Sequence, residues 1–440
     1  MQELCRVSQV RGSVSRVRTR RDFLRTASAA AAVPLLGARS LDALERRLEP
    51  FARQDAKATA SDQAFWDEIR RLYPVPEGYV HLENGFSSPQ PAPTFEAFAK
   101  YSKHVNDNLS YYARREAQAE EERVYKELAE LAGVPVEELL ITRNTTESLG
   151  TVIHGITWKP GDAAIVADLD YSSMIQQFRQ ERTRHGVELI GVTMPLHPTS
   201  EEQIVSLYER SITPRTKAIL LTHLNNITGL IIPVRKIADM ARARGVMTII
   251  DSAHAFAHLD YKVPDLGGDF LGASLHKWLS TPVGNGLLHV RKDRIASIWP
   301  LMGDATRPVD DITKLDRRGT RPMWNVLAIS DAIRFHNMIG AARKEARLRW
   351  AQEYWTSRVA DFPGVKLNTP RGPHACAIAN VAVAGLTPQE LSTRLWDDHR
   401  IYVQTVTNPS ARGIRVTPHL YTTTAELDQF VTAMRVITRA

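Results

Sequence analysis

At 440 residues, with 43% hydrophobic and 24% charged side chains, the chain can bury a large core and is too long for one ordinary domain. Its formal charge of +7 does not mark a nucleic-acid surface, because residues 1–39 hold eight Arg against only Glu3 and Asp22 and so supply six of the seven charges. The remainder is close to neutral, and no stretch reaches about 18 uninterrupted apolar residues, the length a membrane-crossing helix needs.

The first element is a leader. Basic residues run up to Arg25 and give way to the small and apolar stretch from Thr26 to Leu36, then Gly37-Ala38. Within it, Thr19-Arg20-Arg21-Asp22-Phe23-Leu24 resembles a twin-arginine export signal, whose machinery moves folded proteins. The resemblance implies a signal over residues 1–38, the twin-arginine translocase as a partner, and a periplasmic or otherwise extracytoplasmic destination. The bland alternative is a basic tail with an accidental Arg pair. Cys5 lies in this leader and Cys376 stands alone in the body, so no disulfide framework is expected.

Residues 39–64, charged and Ala-rich, read as a linker with a short helix possible over Ser40–Glu49. Residues 65–88 form an N-terminal segment. It starts with an amphipathic helix at Phe65, turns at Tyr73-Pro74-Val75-Pro76, and ends in the Gly-centred stretch Leu82-Glu83-Asn84-Gly85-Phe86-Ser87-Ser88.

Between Ala129 and Val290 short apolar runs alternate with helical stretches. The runs are Leu139–Ile141, Ala163–Ala167, Val187–Val192, Ala218–Thr222, Val246–Ile250, Phe270–Ala273 and Gly286–Val290. Continuous apolar strands are buried on both faces, which predicts an α/β domain with a mostly parallel seven-stranded sheet covered by helices. Its span is 89–323. Beyond it, a long helical stretch from Trp324 to Val359, shorter strands at Ala377–Val383, Tyr402–Gln404 and Ile414–Val416, and a closing helix at Thr424–Arg435 predict a smaller α+β domain over 324–440. A single elongated α/β domain is the alternative.

Polar residues gather where such strands end. Lys277 follows one run, in Ser274-Leu275-His276-Lys277; a solvated loop lysine looks the same, but a strand-end cleft also suits an amine that must be partly neutral and oriented for Schiff-base chemistry. Asp251 ends another run and reads either as a helix cap or as the partner of a protonated pyridine nitrogen. His254 and His258 follow it, one of them structural. Asn144-Thr145-Thr146 opens a helix as a phosphate cradle or a plain cap. Asn225-Asn226, before Thr228-Gly229, offers hydrogen-bonding groups or turn formers.

In this order, Asn144-Thr145-Thr146, His223 through Gly229, Asp251-Ser252-Ala253-His254 and Ser274-Leu275-His276-Lys277 closely resemble the class V aminotransferase family, over roughly residues 65–435. The resemblance implies the type I fold of pyridoxal phosphate enzymes and pyridoxal 5'-phosphate as cofactor; no metal is expected. Lys277 is implied to carry the cofactor covalently and to move the α-proton, with Asp251 on the ring nitrogen, Asn225 and His254 near the phenolic oxygen, and Thr145, Thr146, Ser274 and His276 on the phosphate. Tyr171 takes the ring-stacking position, where desulfurases tend to have His. Arg318-Gly319-Thr320-Arg321 resembles the loop whose threonine, here Thr320, reaches the phosphate of the neighbouring subunit, implying a homodimer with shared sites. Arg415, in Gly413 to Pro418, is the implied substrate-carboxylate arginine. Asn84 is a further substrate contact by resemblance, and Arg114 or Arg115 is expected near the cleft mouth.

Desulfuration through a persulfide needs a loop cysteine, and the stretch from Gln404 to Arg415 has none. The expected activity is therefore transamination or oxidative deamination of an amine next to a carboxylate, in a small amino acid or peptide-derived metabolite. Epimerisation of the isopenicillin N type or a thiol-free lyase reaction is the alternative on the same scaffold. A non-catalytic binding protein is the alternative of another class, and Lys277, Asp251 and Arg415 together argue against it.

Overall fold

The computed structural model describes residues 40–317 and 319–439. The twin-arginine segment, Cys5 and Arg318 lie outside the described residues. The apolar runs form seven strands: β1 (Leu139–Thr142), β2 (Ala163–Ala167), β3 (Glu188–Val192), β4 (Thr216–Thr222), β5 (Met247–Asp251), β6 (Phe270–Ser274) and β7 (Gly286–Val290). They make one sheet in the order β1-β7-β6-β5-β4-β2-β3. Only β7 runs against its neighbours, so the other six share a direction.

Alternate side chains leave each strand on opposite faces, and both faces are buried. Ile165, Ile219, Leu221, Ile250 and Leu271 pack on one side, beneath helices Ala117–Ala132, Val234–Arg242 and Met323–Ile339. Ala164, Val166, Leu220, Ile249 and Phe270 pack on the other, beneath helices Thr145–Gly155 and Ser172–His185. This double cover is why the runs carry so little polar alternation.

The C-terminal unit has a four-stranded antiparallel sheet of β8 (Val365–Leu367), β9 (Ala379–Val383), β10 (Gln404–Val406) and β11 (Gly413–Val416), in the order β10-β11-β9-β8. Helices Ala341–Val359, Pro388–His399 and Thr424–Ile437 cover it through Trp355, Leu395 and Phe430. The long helical stretch expected from Trp324 is two helices, broken at Gly340. Ahead of the large sheet, Val80–His81 pairs in parallel with Ile401–Tyr402, so the N-terminal segment is woven into the C-terminal unit.

Residues 39–64 differ from the linker expected of them. They carry helices Leu41–Leu48, Ala56–Thr59 and the start of Gln63–Arg70. Leu41, Leu44 and Leu48 are buried with Phe65, Trp66 and Ile69 against Phe335, Leu348 and Trp278, the residue after Lys277. The charged residues that suggested a linker are the solvent face of an amphipathic helix. The fully buried Arg347 ties this layer down, donating to the carbonyls of Ala60 at 3.1 Å and Thr422 at 2.9 Å. Two long helices, Ala92–Arg115 and Ala117–Ala132, precede the large sheet, and Tyr111–Arg115 form the last turn of the first, with Glu116 as its C-cap. No helix among the described residues is long and apolar enough to cross a membrane.

Candidate active site

Because six strands point the same way, their C-terminal ends bring together residues far apart in sequence. The turn after β1 supplies Thr145, that after β2 Tyr171, that after β4 Asn225; β5 ends on Asp251 with His254 beyond it, and β6 ends on Ser274 with His276 and Lys277 following. The hydroxyls of Thr145 and Ser274 lie 2.8 Å apart, and the Thr145 amide donates to the same Ser274 oxygen at 3.1 Å. Asn144 caps this helix by accepting from the Glu147 amide at 2.9 Å, and Thr146 is exposed in the same first turn. A Cβ at position 286 would lie 2.6 Å from the Asn144 backbone, so only glycine lets β7 pass the helix start this closely. Hydroxyls and first-turn amides thus share the positive end of a helix dipole. His276 Nδ1 sits 3.2 Å from the Asn285 carbonyl, which can only accept, so Nδ1 carries the hydrogen and Nε2 is left as the second polar atom.

Lys277 Nζ lies 2.8 Å from His254 Nε2. The other ring nitrogen of His254, Nδ1, accepts from the Trp278 indole N–H at 3.3 Å. Indole can only donate, so Nδ1 is bare and the neutral imidazole holds its hydrogen on Nε2, pointed at the lysine. Burial, with Lys277 and Arg415 nearby, drives the His254 pKa well below its ordinary value, which keeps it neutral. A neutral N–H donor is best met by an unprotonated amine. Burial brings Lys277 down to about 8, only partly offset by Asp251. Asp251 is itself buried and has its pKa raised by burial; the sole hydrogen bond to its carboxylate among the described residues comes from the Ala253 amide at 3.0 Å. His258 is the structural histidine: fully buried, it donates from Nδ1 to the His254 carbonyl at 2.9 Å and packs on the Trp278 ring.

Arg415, on β11, is buried and already occupied. Its Nη2 and Nε donate to Glu83 at 2.5 and 3.2 Å, and its Nη1 donates to the Asn226 carbonyl at 2.9 Å. A Cβ on Gly85 would lie 2.6 Å from the guanidinium carbon, so the loop carrying Glu83 wraps the arginine closely only because residue 85 has no side chain.

Three more of the expected residues are placed as follows. Asn84 is fully buried and spent within the fold: it donates to the Thr417 carbonyl at 2.8 Å and accepts from the Tyr421 hydroxyl at 2.6 Å, so its neighbour Glu83 is the residue of this loop that meets Arg415. Asn225 shapes its turn, donating to the Leu169 carbonyl at 2.6 Å while its oxygen accepts from the amides of Ile227 and Thr228, both at 2.9 Å; its amide nitrogen carries a second hydrogen besides. Arg114 and Arg115 are exposed on the last turn of helix Ala92–Arg115, and among the described residues no hydrogen bond or ion pair joins either to the strand-end group. Tyr171 is 42% exposed where helix Ser172–His185 begins. Thr320 is exposed and lines a groove of ≈ 1200 Å³ with Tyr125, Leu140 and Ile312.

Comparison with known proteins decides the family. Residues 80–430 match the aminotransferase class-V family model. The chain belongs to the class-V aminotransferase family. Its relatives include the isopenicillin N epimerase of Streptomyces clavuligerus, 28% identical over 393 residues that cover 85% of this chain and 99% of that protein. The isopenicillin N epimerase of Amycolatopsis lactamdurans is 24% identical with the same coverage of each. Among solved structures, a cysteine desulfurase from Thermococcus onnurineus superposes with a TM-score of 0.75 at 24% identity, covering 85% of this chain and 98% of that one, which establishes the shared fold. The class-V protein is thus a type I pyridoxal phosphate enzyme acting on an amino-acid-type substrate.

The residues present fit pyridoxal 5'-phosphate. A buried carboxylate with one backbone hydrogen bond suits a protonated ring nitrogen, and the Thr145, Thr146 and Ser274 cluster at a helix start suits a phosphate. The buried Lys277 amine suits a carbonyl carbon.

Proposed function

We propose that this enzyme catalyses epimerase-type proton transfer at the carbon bearing the amine of a carboxylate-containing substrate. The observation that carries proton transfer at this carbon is the buried Lys277 amine, held against a neutral N–H donor and brought down to about 8, because a base for an α-hydrogen must be unprotonated near working pH. Pyridoxal phosphate, when bound, supplies the electron sink that acidifies that hydrogen. Asp251 would keep the ring nitrogen protonated, Thr145, Thr146, Ser274 and His276 would hold the phosphate, and Tyr171 would cover the ring. Arg415 would receive the carboxylate through its planar fork. Lys277 would take the proton from its own face, and inversion then requires a proton delivered to the opposite face by a second acid or by solvent.

Correspondence to two isopenicillin N epimerases across 99% of their length favours return of the proton over release of a keto product. Persulfide chemistry is disfavoured because Cys376 is buried and its thiol pKa is raised by that burial. Transamination is the second reading, favoured by the same Lys277 and Arg415, which would serve it equally. Chiral separation of products after incubating the holoenzyme with single stereoisomers of amino acids and amino-terminal peptides tests the choice. Conversion of one stereoisomer into a mixture supports epimerisation; loss of the amine with formation of a keto product replaces it with transamination.

We further infer export in the folded state, from the Arg20-Arg21 leader, and a homodimer in which Thr320 approaches the neighbouring site. Both rest on sequence resemblance, and for Thr320 also on its exposure beside a large groove.

A further inference from the structure

The pairing of Arg415 bears on which substrates the site accepts. Glu83 presents both carboxylate oxygens to the Nε and Nη2 edge of the guanidinium, the geometry a bound carboxylate ligand would adopt there. The pair is well shielded, with Glu83 5% and Arg415 9% exposed. Glu83 is also anchored by the Phe86 amide at 2.9 Å, and the Asn226 carbonyl holds the far side of the arginine. The charge of Glu83 also acts on Lys277, favouring its charged form after the larger effect of Asp251.

We propose that Glu83 is a specificity-determining stand-in for the substrate's carboxylate. It occupies Arg415 in the free enzyme, and a substrate binds by exchanging its own carboxylate for that of Glu83. The proposal rests on the reading of Arg415 as the carboxylate receiver. A charge-matched arginine gives a weak or monodentate acceptor little to gain. A carboxylate next to the amine can take over the fork, while Glu83 keeps its Phe86 anchor. Exchange also lowers the apparent affinity by the fraction of time the arginine is free, so removing the competitor should tighten binding by that factor. The substrate class is a primary amine with an adjacent free carboxylate, and amides or esters of it are refused at this step.

The test titrates holoenzyme with L-alanine and with L-alaninamide, the same amine with and without a free carboxylate, following visible absorption. Glu83→Gln should tighten L-alanine binding about tenfold relative to L-alaninamide, if the arginine is free about a tenth of the time, the comparison cancelling the effect of the lost charge on Lys277, which both ligands share. Glu83→Asp keeps the charge but shortens the reach, and should tighten L-alanine binding by a smaller factor; it serves if the Gln variant does not fold. L-alanine binding that is unchanged or weaker relative to L-alaninamide in the variants means Glu83 only holds Arg415 in position and overturns the proposal. Arg415→Met separates the underlying reading: it should erase the difference between the two ligands. If it leaves L-alanine binding untouched, Arg415 does not receive the carboxylate, and the proposal falls with that reading.

Discussion

Lys277 and His254 form a pair whose protonation is set by a third side chain, and this leads to two measurements. Burial disfavours the charged amine, so capture of pyridoxal phosphate by the cofactor-free protein should rise with pH through a midpoint near 8; a midpoint near 10.5 would mean the lysine is solvated. Trp278→Phe removes the donor that keeps His254 Nδ1 bare. Its ring could then carry the hydrogen on Nδ1 and turn a bare Nε2 to the lysine, which favours the ammonium, and the capture midpoint should move upward from about 8. An unmoved midpoint in a folded variant means the indole does not fix the tautomer. The residues with strand-end chemistry, Lys277, Asp251 and Ser274, were legible in the sequence because the apolar run before each one sets its place. Trp278 and Glu83 were not. An indole after a lysine reads as core, a glutamate in a glycine turn reads as solvated, and their partners are 24 and 332 residues away.

At the scale of elements, the strands were readable because burial on both sheet faces leaves continuous apolar runs. The helices before them were not, since an amphipathic helix with charged outer positions resembles a linker until its partner surface is known. Leu41–Leu48 is the clearest case, because its apolar stripe has meaning only against Trp278 and Phe335. Leu44→Ala should cost about 2–4 kcal/mol, read as a lower unfolding midpoint. A change within about 0.5 kcal/mol, the range of ordinary surface substitutions, would mean the segment is not part of the core. The first loop is likewise structural as much as chemical. Asn84 spends its side chain joining it to the C-terminal unit, and Gly85 leaves room for Arg415. Gly85→Ala should therefore push the guanidinium aside and weaken L-alanine binding while leaving the fold intact. Unchanged L-alanine affinity would place the carboxylate subsite elsewhere.

For the whole molecule, the two-unit fold gathers the strand-end group at the C-terminal ends of the large sheet and Arg415 on the other unit; the N-terminal segment touches both, through the Glu83–Thr417 bridge and through the Ser88 amide, which donates to the His276 carbonyl at 3.2 Å. Folding around the cofactor before export is the reason a twin-arginine leader would suit this enzyme. Replacing Arg20-Arg21 with two lysines should hold the protein in the cytoplasm with its cofactor bound; undiminished export would remove the leader from the account. The central claim is reversible proton transfer without loss of the amine. Its most direct test is mass measurement of substrate recovered from holoenzyme in deuterium oxide. One deuterium at the amine-bearing carbon with an otherwise unchanged mass, absent in Lys277→Ala, is the predicted result. Loss of the amine, or exchange that survives the lysine substitution, would contradict it.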